Sequence, residues 1–299
     1  MSTKSELHEV PDPDTSTRVV MLGTGTPRPD PDRVGPATAV VVNNTPYLVD
    51  FGPGVVRRAT AAYEKGVGAL GYGGINIKTV FLTHMHSDHT VGYPDLIFTP
   101  WVMGRHEPLA VYGPRGIAAM TEHVLKAWQI DVDARSNGLH RHTSGGCKVN
   151  AREIVPGKVY QDDNISVTAF SVRHEEMVDS FGYRFETADR IIVISGDTAP
   201  TQTLIDHSRG CDVLVHEVYS MDAFRQDSAE FQAFRRRHHT SSIELAAIAN
   251  QVSPGLLILY HRGNRGGGPV TREMDDILLA EIRQSYGGAV VAARDLDIY

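Results

Sequence analysis

Short apolar runs, bounded by glycine, proline or small polar residues, recur along the chain, with stretches of helical spacing between them. RVVMLGT at 18–24 reads as a buried strand, and ATAVVVN (37–43) with PYLVDF (46–51) as a strand pair around NTP. GPGVVRRATAAYEKG (52–66) starts on Gly-Pro, keeps helical spacing and stops at glycine, which predicts a helix. A glycine-rich loop occupies 68–76. KTVFLTH (78–84) reads as a strand ending at His84, DLIFTPWVM (95–103) as a short helix, LAVYGP (109–114) as a strand and GIAAMTEHVLKAW (116–128) as a helix. Residues 129–146 are polar and irregular. NISVTAFSVRH (164–174) alternates and ends at a histidine, SFGYRFET (180–187) and RIIVISGDT (190–198) form an adjacent strand pair, and CDVLVHEVYS (211–220) reads as a buried strand. SIELAAIANQV (242–252) is a helix, GLLILYH (255–261) a strand ending at a histidine, REMDDILLAEIRQ (272–284) a helix and GAVVAARD (288–295) a last strand. Strands and helices alternate, but strand pairs are inserted among them. That predicts a mixed-sheet α/β fold rather than a purely parallel one.

Composition narrows the class. The 299 residues are 41% hydrophobic and 22% charged, ordinary globular values that suit one large α/β domain or two small ones. Residues 1–17 read as a flexible polar leader and 18–299 as a single domain. A formal net charge of -7 gives no overall field to draw nucleic acid, although a local basic patch can serve. The two cysteines, Cys147 and Cys211, lie far apart and make no disulfide framework, as expected of a reducing, cytoplasmic compartment. The polar leader lacks an apolar core, so no signal peptide is expected, and no apolar run of about 18 residues predicts a membrane span.

The chemistry concentrates in LTHMHSDHTVG at 82–92, where His84, His86, Asp88 and His89 fall within six positions. Three strands end in a histidine, at His84, His174 and His261, and a fourth ends in Asp197. Strand ends are where open α/β sheets place their chemistry. A tight turn lets His84 and His86 point the same way and grip one metal, while Asp88 and His89 turn towards a second. Imidazole suits zinc, and a carboxylate can bridge two cations. Asp197 is the natural bridge, because Gly196 before it allows close backbone approach. These ligand types do not separate zinc from manganese or iron.

The order HxHxDH, a distant histidine, a GDT aspartate and a final histidine is similar to the metallo-β-lactamase superfamily. LGTGTPRP, VDFGPG, ISGDT and HEVYS resemble its ribonuclease Z and arylsulfatase-type branch. The resemblance implies an αβ/βα sandwich of two mixed β-sheets flanked by helices, a metal-dependent hydrolase of ester bonds, a homodimer, and two zinc ions at one edge of the sheets. By the same resemblance His84, His86 and His174 would hold the first metal, Asp88, His89 and His261 the second, and Asp197 would bridge them. Asp88 would also hold or deprotonate the attacking water. Glu217 would orient His239 as proton donor, with His238 the neighbouring alternative. One departure counts. The ribonuclease Z pattern carries a long tRNA-gripping insertion between the third histidine and the GDT aspartate, whereas 22 residues separate His174 from Asp197 here. This directs the expectation to a small ester of phosphodiester or aryl sulfate type, with RNA disfavoured.

Other readings stand beside that one. Ribonuclease Z-like tRNA 3′-processing would use the same centre. An iron-dependent oxidoreductase on the same fold is a second class: oxygen- and nitric-oxide-reducing members place a carboxylate where His86 stands, whereas persulfide dioxygenases keep the histidines. The complete ligand set argues against a non-catalytic scaffold. His216 lies inside a buried strand and reads as a structural hydrogen-bonding residue; His106, His123, His140, His142 and His207 read as surface or local ones. GTGTP is followed by prolines and aspartates where a dinucleotide fold needs a helix. RRRHH at 235–239 is either a phosphate-attracting patch or a solvated charge run.

Overall fold

Strands that are apolar on both faces must be covered on both sides, and the protein meets that need in four layers. The computed structural model describes residues 17–137, 145–263 and 270–299. The first sheet runs in the order β1 (Arg18–Gly23), β2 (Ala37–Val42), β3 (Thr45–Val49), β4 (Thr79–Phe81), β5 (Leu109–Gly113), β6 (Val149–Glu153). The second comprises β7 (Gly157–Gln161), β8 (Ser166–Ser171), β9 (Phe181–Glu186), β10 (Ile191–Ile194), β11 (Val213–Tyr219), β12 (Leu256–Gly263) and β13 (Val290–Ala292), in that spatial order. Both sheets are mixed: β1 to β3 and β7 to β10 pair antiparallel, and the remaining neighbours pair parallel.

Alternation along single strands builds the layers. In β1, Val19 and Met21 face the second sheet while Val20 and Leu22 face helices. In β12, Ile258 and Tyr260 join the core between the sheets, whereas Leu257 and Leu259 point outwards. The outer cover of the first sheet includes α1 (Val55–Glu64), α3 (Tyr93–Val102), α4 (Ile117–Ala127) and α5 (Gln129–Asn137), while the short α2 (Ser87–Thr90) carries Asp88 and His89. The second sheet is covered by α6 (Gln202–Ser208), α9 (Ser242–Val252) and α10 (Arg272–Arg283), with α7 (Met221–Arg225) and α8 (Ala229–His238) beyond the end of β11. This is the αβ/βα sandwich.

Several details differ from the sequence pattern. Thr17, placed in the leader, is buried and its backbone N–H donates to Asp189 Oδ2 at 3.0 Å; the rest of the leader lies outside the described residues. The stretch taken as irregular begins with α5, whose exposed polar face carries an Asp131–Arg135 pair and gives no apolar periodicity to read. His140 and His142 lie outside the described residues. The short helix at 95–103 starts earlier, at Tyr93, and retains Pro100 inside. The glycine-rich loop holds two 3₁₀ turns, Gly68–Leu70 and Tyr72–Gly74. Strands β6 and β7 and helices α6, α7 and α8 were not apparent from the pattern.

Candidate metal centre and active site

Three of the four expected strand ends are genuine, and each releases its residue at the same offset. His84 lies three residues beyond β4, His174 three beyond β8 and Asp197 three beyond β10. Gly196 has φ +63°, and a Cβ there would lie 2.9 Å from Thr83 Cβ, so only glycine lets this turn pass the histidine loop. His261 differs, because it sits within β12. It is the extra residue of a β-bulge opposite Glu217 and Val218, with φ +43°. A bulge re-aims a side chain, and here it turns His261 to Asp88 and Asp197. Backbone strain at a non-glycine residue persists where the surroundings over-determine it.

Hydrogen bonding on the far sides of the rings decides where their lone pairs point. His174 Nδ1 donates to the His238 carbonyl at 2.9 Å, which leaves Nε2 bare in the neutral ring. The Thr83 hydroxyl gives its hydrogen to the Asp50 carboxylate, so His84 Nδ1, 3.0 Å from that hydroxyl, is the donor and His84 Nε2 is bare. These two bare nitrogens lie 3.0 and 3.1 Å from His86 Nδ1. A single proton on His86 cannot satisfy both lone pairs well, whereas one small cation can.

A second nest adjoins the first. His89 Nδ1 donates to Asp50 Oδ2 at 2.8 Å, and its buried Nε2 has no hydrogen-bond partner. That Nε2 is 3.6 Å from both Asp88 Oδ2 and Asp197 Oδ1, and Asp197 Oδ1 is likewise unpartnered. His261 Nε2 lies 3.1 Å from Asp88 Oδ2 and its Nδ1 3.3 Å from Asp197 Oδ1. Ligand-capable atoms group as His84–His86–His174, Asp88–His89–His261 and His84–His89–Asp197, each within 4.8 Å. Asp197 therefore reaches both nests. The orphaned buried atoms and the converging lone pairs fit a pair of divalent cations.

Electrostatics of the bare chain divide the two nests. Burial drives His84 well below the ordinary histidine value and His174 down to about 4. On His89 burial is outweighed by the Asp50 and Asp197 carboxylates, which hold its pKa well up. On Asp197 burial is outweighed by His261 and His89, so the carboxyl stays ionised.

Beside the nests, His239 Nδ1 faces Glu217 Oε1 at 3.2 Å. The same oxygen accepts the backbone N–H groups of Thr198 and Thr240, at 3.2 and 3.0 Å. Burial and the neighbouring Asp197 push the Glu217 pKa well up, and burial lowers His239 to about 4. His238, its sequence neighbour, donates to the Phe234 carbonyl and points Nε2 towards Glu176 at 3.5 Å. His239, not His238, lines the cavity of about 320 Å³ that also exposes His86, Asp88, His174, Asp197 and His261. A larger cavity of about 700 Å³, between α7 and α10, contains none of these groups.

The other described histidines remain outside. His216 is buried in β11 with Nδ1 at 2.6 Å from the Glu217 carbonyl, and His207 stacks on Phe170 at 4.6 Å. His106 and His123 are exposed. In the RRRHH run, Arg235 is buried against Asp227 at 2.7 Å, so that residue is neither solvated nor free for phosphate. Sequence reasoning missed Asp50 and Thr83, which orient His89 and His84 from behind, and the cavity walls Arg28, Tyr219, Phe231 and Phe234. The signal for Asp50 was an acidic residue closing an apolar strand in VDFGPG.

The β-lactamase superfamily domain family matches residues 45–262. A protein named ribonuclease Z from Mycobacterium bovis (strain BCG / Pasteur 1173P2) is 34% identical over 246 residues, covering 81% of this chain and 85% of that protein. Its namesake from Mycolicibacterium gilvum (strain PYR-GCK) is 33% identical over 248 residues, covering 81% and 83%. Among solved structures, the metallo-β-lactamase fold protein YhfI from Bacillus subtilis superposes with a TM-score of 0.71 at 18% identity, over 95% of this chain and 98% of that one. The short form of human tRNase Z gives 0.66 at 21% identity, over 94% and 98%. The fold implies a divalent metal, and the two nests supply ligands suited to one. The chain belongs to the β-lactamase superfamily and is a metal-dependent hydrolase of ester bonds.

Proposed function

We propose that the protein hydrolyses a small ester of phosphodiester or aryl sulfate type at a dinuclear zinc centre. His84, His86 and His174 would hold one ion, Asp88, His89 and His261 the other, with Asp197 between them. The observation that carries the reading is the two adjoining nests of bare ligand atoms, opening with His239 into one cavity of about 320 Å³. That size suits a small ligand. When bound, divalent cations would supply Lewis acidity, lowering the pKa of water to about 7 and offsetting charge on ester oxygens.

The chain's own groups do the rest. Asp88, whose Oδ2 lies 3.1 Å from His261 Nε2, would hold or deprotonate the attacking water. His239 delivers a proton from Nε2 to the leaving oxygen, because Nδ1 is held by Glu217. The approach of an anionic ester favours the charged imidazole, as the Asp197 carboxylate already does. Burial of His84, His89 and Asp197 keeps bulk water from competing for the same lone pairs.

Between His174 and Asp197 the chain makes a short loop and the β9–β10 hairpin, with no protruding arm. This supports a small substrate over precursor tRNA. The second reading, tRNA 3′-processing, is favoured by the relatives named ribonuclease Z. A panel of aryl phosphodiesters, aryl sulfates, lactones and precursor tRNA, run on protein of measured metal content, separates the two. Turnover of small diesters far above precursor tRNA is expected; efficient 3′-processing overturns the preference. Homodimeric assembly completes the reading, and a monomer mass by light scattering at micromolar concentration would refute that part.

A further inference from the structure

Helix α8 presents Phe231 and Phe234 to the cavity that holds the histidine cluster. Three positions apart, they share a helix face. Their rings stack, with centroids 5.6 Å apart and planes 13° apart, yet 37% and 40% of the two residues remain exposed. A buried cation backs the pair. Arg235, on the same helix, is buried, pairs with Asp227 at 2.7 Å, and lies 4.9 Å over the Phe231 ring and 5.1 Å over Tyr219. The Phe234 ring lies 5.8 Å from His239, so the wall begins where a proton would reach the leaving group. Arg28, from the β1–β2 loop, also lines this cavity; it is exposed and has no carboxylate partner among the described residues.

We propose that Phe231 and Phe234 form a stacking subsite for a planar aromatic ring carried by the leaving group, with Arg28 facing the anionic ester centre. The proposal rests on the hydrolase reading above, with His239 as donor, and adds the chemistry of the group that departs. Hydrophobic burial alone favours the larger saturated ring, because more area leaves water. Stacking on phenyl faces favours the flat one, by about tenfold per ring. Hydrolysis at this subsite breaks the bond between phosphorus and the leaving oxygen; water supplies the new oxygen, and the ring departs as a neutral alcohol after protonation.

The test compares benzylphosphonate with cyclohexylmethylphosphonate, two probes that cannot be hydrolysed at an ester, by calorimetric titration of the metal-loaded protein. Wild type should bind the benzyl probe about tenfold more tightly. The Phe231→Leu/Phe234→Leu variant, which keeps apolar bulk and helix propensity on an exposed face, should bind both alike. Equal or tighter binding of the cyclohexyl probe by wild type overturns the subsite, as does a benzyl preference that survives in the variant. Benzyl methyl phosphate then tests the leaving-group assignment: benzyl alcohol with methyl phosphate is expected, and predominant methanol release overturns it. Binding that discriminates without turnover of any ester in the panel would instead sink the hydrolase reading and leave the subsite standing, so the two failures are distinct.

Discussion

Asp50 accepts the Nδ1 hydrogen of His89 at 2.8 Å, and neither side chain is more than 2% exposed. The same carboxylate takes the Thr83 backbone N–H at 2.8 Å and the Thr83 hydroxyl at 2.9 Å. Through that hydroxyl it also sets the ring of His84. One buried acid, standing at φ +62° where β3 ends, thus orients a histidine in each nest without facing the cavity. Partners behind a ligand fix its tautomer and raise its basicity.

Asp50→Ala is therefore expected to weaken metal binding by about 10–100-fold, the usual effect of losing such a partner. It also strands the His89 and Thr83 donors in the core, costing about 1–3 kcal/mol for each unsatisfied group. Competitive metal titration and urea unfolding of the metal-free chain measure the two effects separately. Unchanged metal affinity would mean that the orientation of His89 is set elsewhere.

How much of this site was legible beforehand depended on the kind of signal each residue leaves. His84, His86, Asp88 and His89 share one short motif, and His174 and Asp197 close apolar runs, so a linear pattern exposes them. His261 was found as the end of a strand, but the chain continues in β12, and only pairing with β11 reveals the bulge that turns it inwards. Asp50 and Thr83 act through space: Asp50 left only an acidic residue closing an apolar strand, and Thr83 left no signal of its role. Helix α8 was missed because its mostly polar sequence, AEFQAFRRRH, buries little beyond Arg235 and His238. The mixed sheets were readable because strand pairs interrupt the alternation of strands and helices, whereas the sandwich was implied by the family resemblance alone. Strands β6 and β7, more exposed and carrying Lys, Arg and Glu, were not readable.

The two nests predict two divalent ions per chain, about 3.5–4 Å apart as in other two-metal sites. Chelation should lower the melting temperature, because ions that bind the folded chain and not the unfolded one stabilise it by mass action. Asp197→Ala should retain fewer than two ions, since no other carboxylate among the described residues reaches both nests. Elemental analysis that gives one ion per chain at saturation, or two in the Asp197 variant, would refute the shared-ligand arrangement.

Stability should also depend on Asp227, far from the metal ligands in sequence. Its pair with Arg235 is buried, with side-chain exposures of 6% and 5%. Removing one partner leaves an uncompensated charge in a low dielectric, which typically costs about 3–5 kcal/mol. The rings of Tyr219 and Phe231 against Arg235 place Asp227→Ala near the lower end of that range. Urea denaturation of the metal-loaded protein measures it. A change below about 0.5 kcal/mol would show that Arg235 finds solvent when its partner is lost, and that α8 is more loosely docked than these contacts indicate.

The sharpest test of the reaction concerns His239. Its Nδ1 is committed to Glu217, so Nε2 is the atom that can serve a leaving group in the cavity. An activated aryl oxide such as nitrophenolate departs without a proton, whereas an alkoxide does not. His239→Ala should therefore lose about 10²–10⁴-fold in kcat on an alkyl ester, the usual worth of general acid catalysis, and far less on a nitrophenyl ester. Glu217→Gln should show a weaker form of the same bias, because the amide oxygen can still accept from Nδ1 and keep the ring oriented. His238→Ala, which removes a ring hydrogen-bonded to the Phe234 carbonyl and stacked on the Phe234 ring at 4.1 Å but leaves its own carbonyl for His174, should show no selective loss of kcat on the alkyl ester. Steady-state kinetics on a matched alkyl and nitrophenyl pair of phosphodiesters measures all three. Equal losses on both esters in the His239 variant would make that residue a positioning group for the substrate rather than the donor, and a leaving-group bias in the His238 variant would move the donor to its neighbour.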